Sequence, residues 1–148
     1  MNAAEYFLAA QEAAEDMERA SVMLARLRSG ETPKGIDYER FGGGGASDSM
    51  AATDTRIDFE ATLSGRVEKD RAVVDEATAL LYGADGHGGV AKLRGSRFAD
   101  AVCMRYLQLS SWHEIAEVMR CSQKWCQHLC NDTFRYIDEV GFARVREA

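Results

Sequence analysis

Only one proline, Pro33, stands in the 148 residues, where about 5% would be usual. Proline breaks helix interiors, so its scarcity leaves room for long helices. Apolar runs are short: none reaches the roughly 18 residues that a membrane-spanning helix requires, so no membrane partner is expected. The start, Met1 to Leu8, carries Glu5 and no Lys or Arg, unlike the charged leader of a secretory signal. The expected location is the cytoplasm. Period-two runs of β-branched and aromatic residues are missing, which argues against a sandwich or barrel.

Chemistry-bearing patterns are scarce too. Four cysteines and three histidines are present, but no CxxC knuckle of the kind zinc sites use. Cys103, Cys126 and Cys130 read as small core hydrophobes, and disulfides are not expected in a cytosolic chain. Neither Gly42–Gly45 nor Gly83–Gly89 follows a strand or belongs to a G-x-x-x-x-G-K-[ST] loop. They read as a linker and a helix stop. His113 and Glu114 are neighbours on a helix and diverge by about 100°, so they make no catalytic pair. No cofactor is expected, and the chain reads as a non-enzyme.

What is present is helical. Apolar residues make up 46% and charged residues 28%, an ordinary balance for a globular protein. From Asn2 to Arg28, Tyr6, Ala10, Ala13, Met17, Ala20, Leu24 and Leu27 recur at spacings of four and three, a complete heptad seam. A Gly-rich linker is expected at 30–49, interrupted by Ile36, Tyr38 and Phe41. A second helix, about Ser49 to Tyr82, carries Leu63, Val67, Val74, Ala77 and Leu81 on one stripe, extended upstream by Ile57. Residues 1–82 therefore read as an acidic, coiled-coil-like helical hairpin, able to self-associate as a homo-oligomer through its helices. Charge divides at the same region: residues 1–91 carry −8 and 92–148 carry +2, within a net −6. Such asymmetry suggests two parts with different roles.

Residues 83–148 read as a separate domain. A short turn at Val90 to Arg94 precedes a helix that Ser96 can cap and that runs to about Leu107. Ser110 or Ser111 can cap a short helix with Trp112, Ile115, Ala116 and Met119 inward. Arg120-Cys121 forms a tight turn. Ser122 then caps a third helix, with Cys126, Leu129, Cys130, Phe134 and Ile137 at helical spacing, and Gly141 ends it. The small Ala116 at the crossing, apolar Ile115 and Met119, and Cys126 four positions after the Ser122 cap are the residue types a helix-turn-helix needs at those offsets. That arrangement leaves the polar first turns of the second helix free to enter a major groove.

On these residues the chain resembles a known family. Met104-Arg105-Tyr106-Leu107, then Ser111 to Ala116, then the Ser122-capped helix are similar to region 4 of sigma-70-type factors. The whole chain resembles phage and prophage transcriptional regulators of the ArpU and RinA type. The detailed match covers roughly 40 residues. The resemblance implies an all-α fold and a sequence-specific regulator that binds double-stranded DNA, with Ser122, Gln123, Lys124, Gln127 and His128 at the interface. Arg120 stands where many members have glycine, and Lys124 is the one cation between Ser122 and Phe134. Arg94, Arg97, Arg105, Arg120 and Arg135 are candidates for added phosphate contacts. Trp112 reads as core, while Trp125 is open between DNA, protein and packing on the N-terminal half. Two alternatives stand beside the regulator: a small terminase-like DNA-binding subunit, and a sigma-like module that acts on RNA polymerase without reading DNA.

Overall fold

A computed structural model describes residues 1–30 and 48–148. The central part of the expected linker, with Gly42–Gly45, Ile36, Tyr38 and Phe41, lies outside the described residues. Among those described the chain is mostly helical and holds no strand, only an isolated bridge between Ala84 and His87. The all-α expectation is met. The helices are α1 (Ala3–Arg28), α2 (Asp48–Tyr82), α3 (Val90–Leu93), α4 (Ser96–Val102), α5 (Trp112–Met119), α6 (Gln123–Val140) and α7 (Phe142–Glu147). No helix among them is long and apolar enough to cross a membrane.

By packing, the chain divides into two units, Met1–Glu15 with Arg71–Ala148, and Asp16–Asp70. This division runs across the composition-based boundary at residue 82. The first turns of α1 and the last turns of α2 share a core with α3 to α7.

In the first unit, α1 starts with reciprocal bonds. The Glu5 N–H donates to Asn2 Oδ1 at 2.8 Å, and the Asn2 N–H donates to Glu5 Oε2 at 3.1 Å. Two otherwise orphaned N–H groups are thereby satisfied. A third, from Ala3, donates to Asp138 Oδ1 of α6 at 2.8 Å, placing a carboxylate at the positive end of α1. The buried residues here are Ala3, Phe7, Ala10, Ala13 and Ala14: the expected seam holds at Ala10 and Ala13, and Phe7 replaces Tyr6 at its start. Phe7 is fully buried and stacks on Phe134 of α6, centroids 5.5 Å apart, while Tyr106 meets Phe134 edge-on at 5.4 Å. Tyr6 is only partly buried, against Phe142 at 5.2 Å. The wholly apolar ring takes the interior, and the phenol, which carries a polar hydroxyl, takes the partly buried position.

The turn after α2 is held by close backbone approach. The Gly89 N–H donates to Val145 O at 2.8 Å. A Cβ on Gly88, whose φ is 72°, would run into the carbonyls of Val145 and Arg146. Glycine at 88 thus lets α7 lie against this turn.

Two sequence expectations need correction in this unit. Ser96 is the first residue of α4 and not its cap; Gly95, φ 132°, holds the cap position with no side-chain bond. The helix does not continue to Leu107 in α geometry. Cys103–Leu107 widens to a π turn, where the Gln108 N–H donates to Cys103 O at 2.9 Å. Leu109 then takes a left-handed φ of 59° and the Ser110 N–H reaches Met104 O, so the chain reverses into α5.

In the second unit, Ala20, Leu24 and Leu27 of α1 bury against Leu63 and Val67 of α2, flanked by Met17, Met23 and Phe59. Fully burying one such leucine contributes about 1.5–3 kcal/mol. Ile57 does not extend this stripe; it is 58% exposed. Arg28 Nε donates to Glu60 at 2.9 Å, and Arg56 donates to Leu27 O at 2.6 Å, capping the end of α1. Arg66 donates to both oxygens of Asp16, which holds Asp16 at about 2; a bond from Asp70 adds to the lowering. Asp70 is raised, first by burial and then by Asp16. Its Oδ2 is buried without a hydrogen-bond partner among the described residues.

Candidate nucleic-acid interface

The site is built on α5, the turn at Arg120 and Cys121, and α6. Each helix begins with a serine in extended conformation. Ser111 Oγ accepts from the Glu114 N–H at 3.2 Å and donates to Glu114 Oε1 at 3.0 Å. Ser122 Oγ accepts from the Trp125 N–H at 3.0 Å. Between them Arg120 takes left-handed dihedrals, φ 55° and ψ 48°. That conformation turns the chain sharply enough to start a second helix three residues on. In a non-glycine residue it is strained.

Packing holds the two helices in place. Ile115 and Met119 of α5 and Cys126, Leu129 and Cys130 of α6 are buried in the same cluster as Phe134 and Ile137. Thr133, buried beside them, satisfies its hydroxyl on Leu129 O at 2.8 Å. Cys130 is pushed up to about 12, mainly by burial, the behaviour of an inert thiol in a core. Trp112 is partly buried, and the Arg105 guanidinium lies 4.7 Å from its ring centroid.

With that face inward, the opposite face of α6 is open. Ser122, Gln123, Lys124, Gln127 and His128 are all exposed. Gln123 with Gln127, and Lys124 with His128, are four residues apart and so sit one turn above the other. The structure thus brings all five expected residues to one surface, over the first two turns of α6. Asn131 joins them: it is exposed, four residues after Gln127 and three after His128. The same i, i+4 rule applied one turn further along the sequence would have found it. Trp125 is 49% exposed and stacks on His128, centroids 4.8 Å apart.

The cations divide into committed and free. Arg94 is committed to Asp132 at 2.7 Å, with its guanidinium over the Phe98 ring. Arg97 donates to Met119 O and Arg105 to Ser110 O. These three are engaged by groups of the fold itself. Arg135 is exposed, with only a 4.0 Å approach to Asp132. Arg120 and Lys124 are exposed at the turn and the start of α6. On α5, His113 pairs with Glu117 at 3.0 Å, one turn along, and not with adjacent Glu114. Val118 is 68% exposed. Among the described residues, no cluster of three or more His, Cys, Asp or Glu is arranged to hold a metal. No family model, curated protein or solved structure matches the chain.

Proposed function

We propose that this protein is a sequence-specific DNA-binding transcriptional regulator of the phage or prophage type, reading the major groove with α6. The observation that carries the reading is the face of α6. A serine-capped helix, set off from α5 by a left-handed turn, buries one side and presents Gln123, Lys124, Gln127 and His128 on the other. Glutamine can pair bidentately with adenine and lysine with guanine or a phosphate. The exposed N–H groups at the start of α6 suit a phosphate oxygen, which would set register. α1 and α2 would serve as the oligomerisation element of the coiled-coil-like hairpin.

Genomic-fragment selection with purified protein at low salt tests the reading. An enriched sequence is expected, with binding lost when Gln123, Lys124, Gln127 and His128 are replaced by alanine. Three exposed cations, Arg120, Lys124 and Arg135, imply a shallow salt dependence, a log–log slope of about −3 per chain. No enrichment from a folded sample would overturn the assignment.

A second reading has an observation of its own. Val118 and Trp125 are large, apolar and exposed on the same two helices, which suits a protein contact. In that case the module would bind RNA polymerase without reading DNA, and a polymerase pull-down with no DNA enrichment would select it. A small terminase-like subunit is distinguished from both by a ring of many chains in solution.

A further inference from the structure

Two of the four free cysteines are neighbours in space. Cys121 Sγ and Cys126 Sγ lie 3.3 Å apart, sharing a thiol hydrogen bond. Cys121 is in the turn, between left-handed Arg120 and the capping Ser122, and is partly exposed. Cys126 is fully buried, one turn into α6. Helical packing requires a small apolar residue at 126, which a cysteine supplies. It does not require a second thiol in the turn pointing at it.

We propose that Cys121 and Cys126 form an oxidisable dithiol, which a hydroperoxide converts into a disulfide tying the turn to the first turn of α6. The accessible Cys121 thiol attacks the terminal oxygen of the hydroperoxide through its sulfur, and its proton passes to the leaving oxygen. The O–O bond breaks, the alcohol or water leaves, and Cys121 becomes a sulfenic acid. Cys126 then gives up its proton and attacks the Cys121 sulfur, the S–O bond breaks, and water leaves. In sum, two thiols and one hydroperoxide give one disulfide, one alcohol or water, and one water. Burial and Cys121 together push the Cys126 thiol up to about 11. Cys126 therefore resolves the sulfenic acid and does not meet the oxidant first.

Bond formation draws the two side chains together. A disulfide is about 2.05 Å long, so the sulfurs must close by roughly 1.2 Å from their present separation. The bond ties the turn to the first turn of α6, and between the two cysteines lie Ser122, Gln123, Lys124 and Trp125. The redox state of the pair thus sets how the exposed start of α6 is held. Its effect on DNA binding rests on the function proposed above; the chemistry does not.

The test is hydrogen peroxide treatment of the full chain, followed by intact mass and trypsin digestion without reductant. Trypsin cuts after Arg120, Lys124 and Arg135, so the expected product is peptide 121–124 joined to peptide 125–135. The intact mass should fall by two hydrogen atoms. Cys121→Ser, at a partly exposed position, should abolish the linked peptide, and Cys130→Ala should leave it. A bond between chains, a link that needs Cys130, or further oxidation of Cys121 with no link would each overturn the proposal. The DNA readout follows on the selected sequence. Oxidation is expected to lower affinity at least tenfold, reversed by dithiothreitol. A linked protein with unchanged affinity would overturn the regulatory consequence. A linked protein that binds no DNA in either state would instead overturn the DNA-reading function and leave the dithiol assignment in place.

Discussion

Trp125 and His128 stack on the solvent side of α6, with ring planes 29° from parallel. The stack fixes the imidazole rotamer three residues after the indole, in the middle of the exposed polar face. Such aromatic pairs contribute about 0.5–1.5 kcal/mol beyond their buried area. Trp125→Ala is therefore expected to lower folding stability by no more than about 1.5 kcal/mol. It should lower DNA affinity roughly tenfold, a change of about 1.4 kcal/mol, because His128 loses its fixed position. A double-mutant cycle with His128→Ala, read by DNA titration, should be non-additive; additive losses would show that the stack plays no part in binding.

The Ser122 cap has two consequences that can be separated. Ser122→Ala removes the acceptor for the Trp125 N–H and should cost about 1 kcal/mol in urea unfolding. Ser122→Asp keeps an acceptor and should recover most of that stability, yet place a negative charge where a phosphate would approach. Its DNA affinity is expected to fall below that of Ser122→Ala. The reverse order would place the phosphate contact elsewhere.

Arg120 is strained in its left-handed conformation. Arg120→Gly should raise stability by about 0.5–1 kcal/mol, since glycine adopts positive φ without a Cβ clash. Arg120→Ala keeps the clash and should not. The glycine variant should nonetheless bind DNA more weakly and with a shallower salt slope, by about one unit. Urea melts and salt titrations of both variants check this.

Asp16 and Asp70 oppose each other in pH dependence. Asp16, lowered to about 2 by Arg66 and then by Asp70, gives stability that is complete above the ordinary aspartate range. It is lost as pH falls towards 2. Asp70, raised by burial and by Asp16, favours its protonated form in the folded chain. Its contribution is complete below the ordinary aspartate range, about 3.9, and is lost as pH rises through its raised value. Asp70→Asn, permanently neutral, should remove the decline on the high-pH side and leave the acid side in place. Thermal melting from pH 2 to 8 tests this; parallel profiles for the two proteins would contradict it.

Much of the candidate interface could be read from single residue types at short spacing. Ser122 announces its cap, and Ser110 or Ser111 the earlier one, because the bonds a capping serine makes reach only three residues along the chain; the structure selects Ser111. The buried face of α6 follows from Cys126, Leu129, Cys130, Phe134 and Ile137 at helical intervals, and its exposed face is what remains. α1 and α2 were legible for the same reason, within one or two residues of their observed ends. Ser96 reads as a cap from sequence because serine at a helix start fits both the cap and the first turn. Only the backbone path through Gly95 separates them.

What the sequence by itself determined is therefore local: helices, caps, the turn at Arg120 and the polar face of α6. Each depends on groups within about four residues, whose geometry the helix repeat sets in advance. The tertiary structure alone decided which partners distant groups would find. It buried Phe7 in place of Tyr6 because Phe134 and Tyr106 were there to meet it. It committed Arg94 to Asp132, 38 residues away. It set Asp16 against Asp70, and it aimed the Cys121 thiol of the turn at Cys126. These outcomes depend on which faces of separate elements come together, and the residues concerned carry no periodic signal that records it.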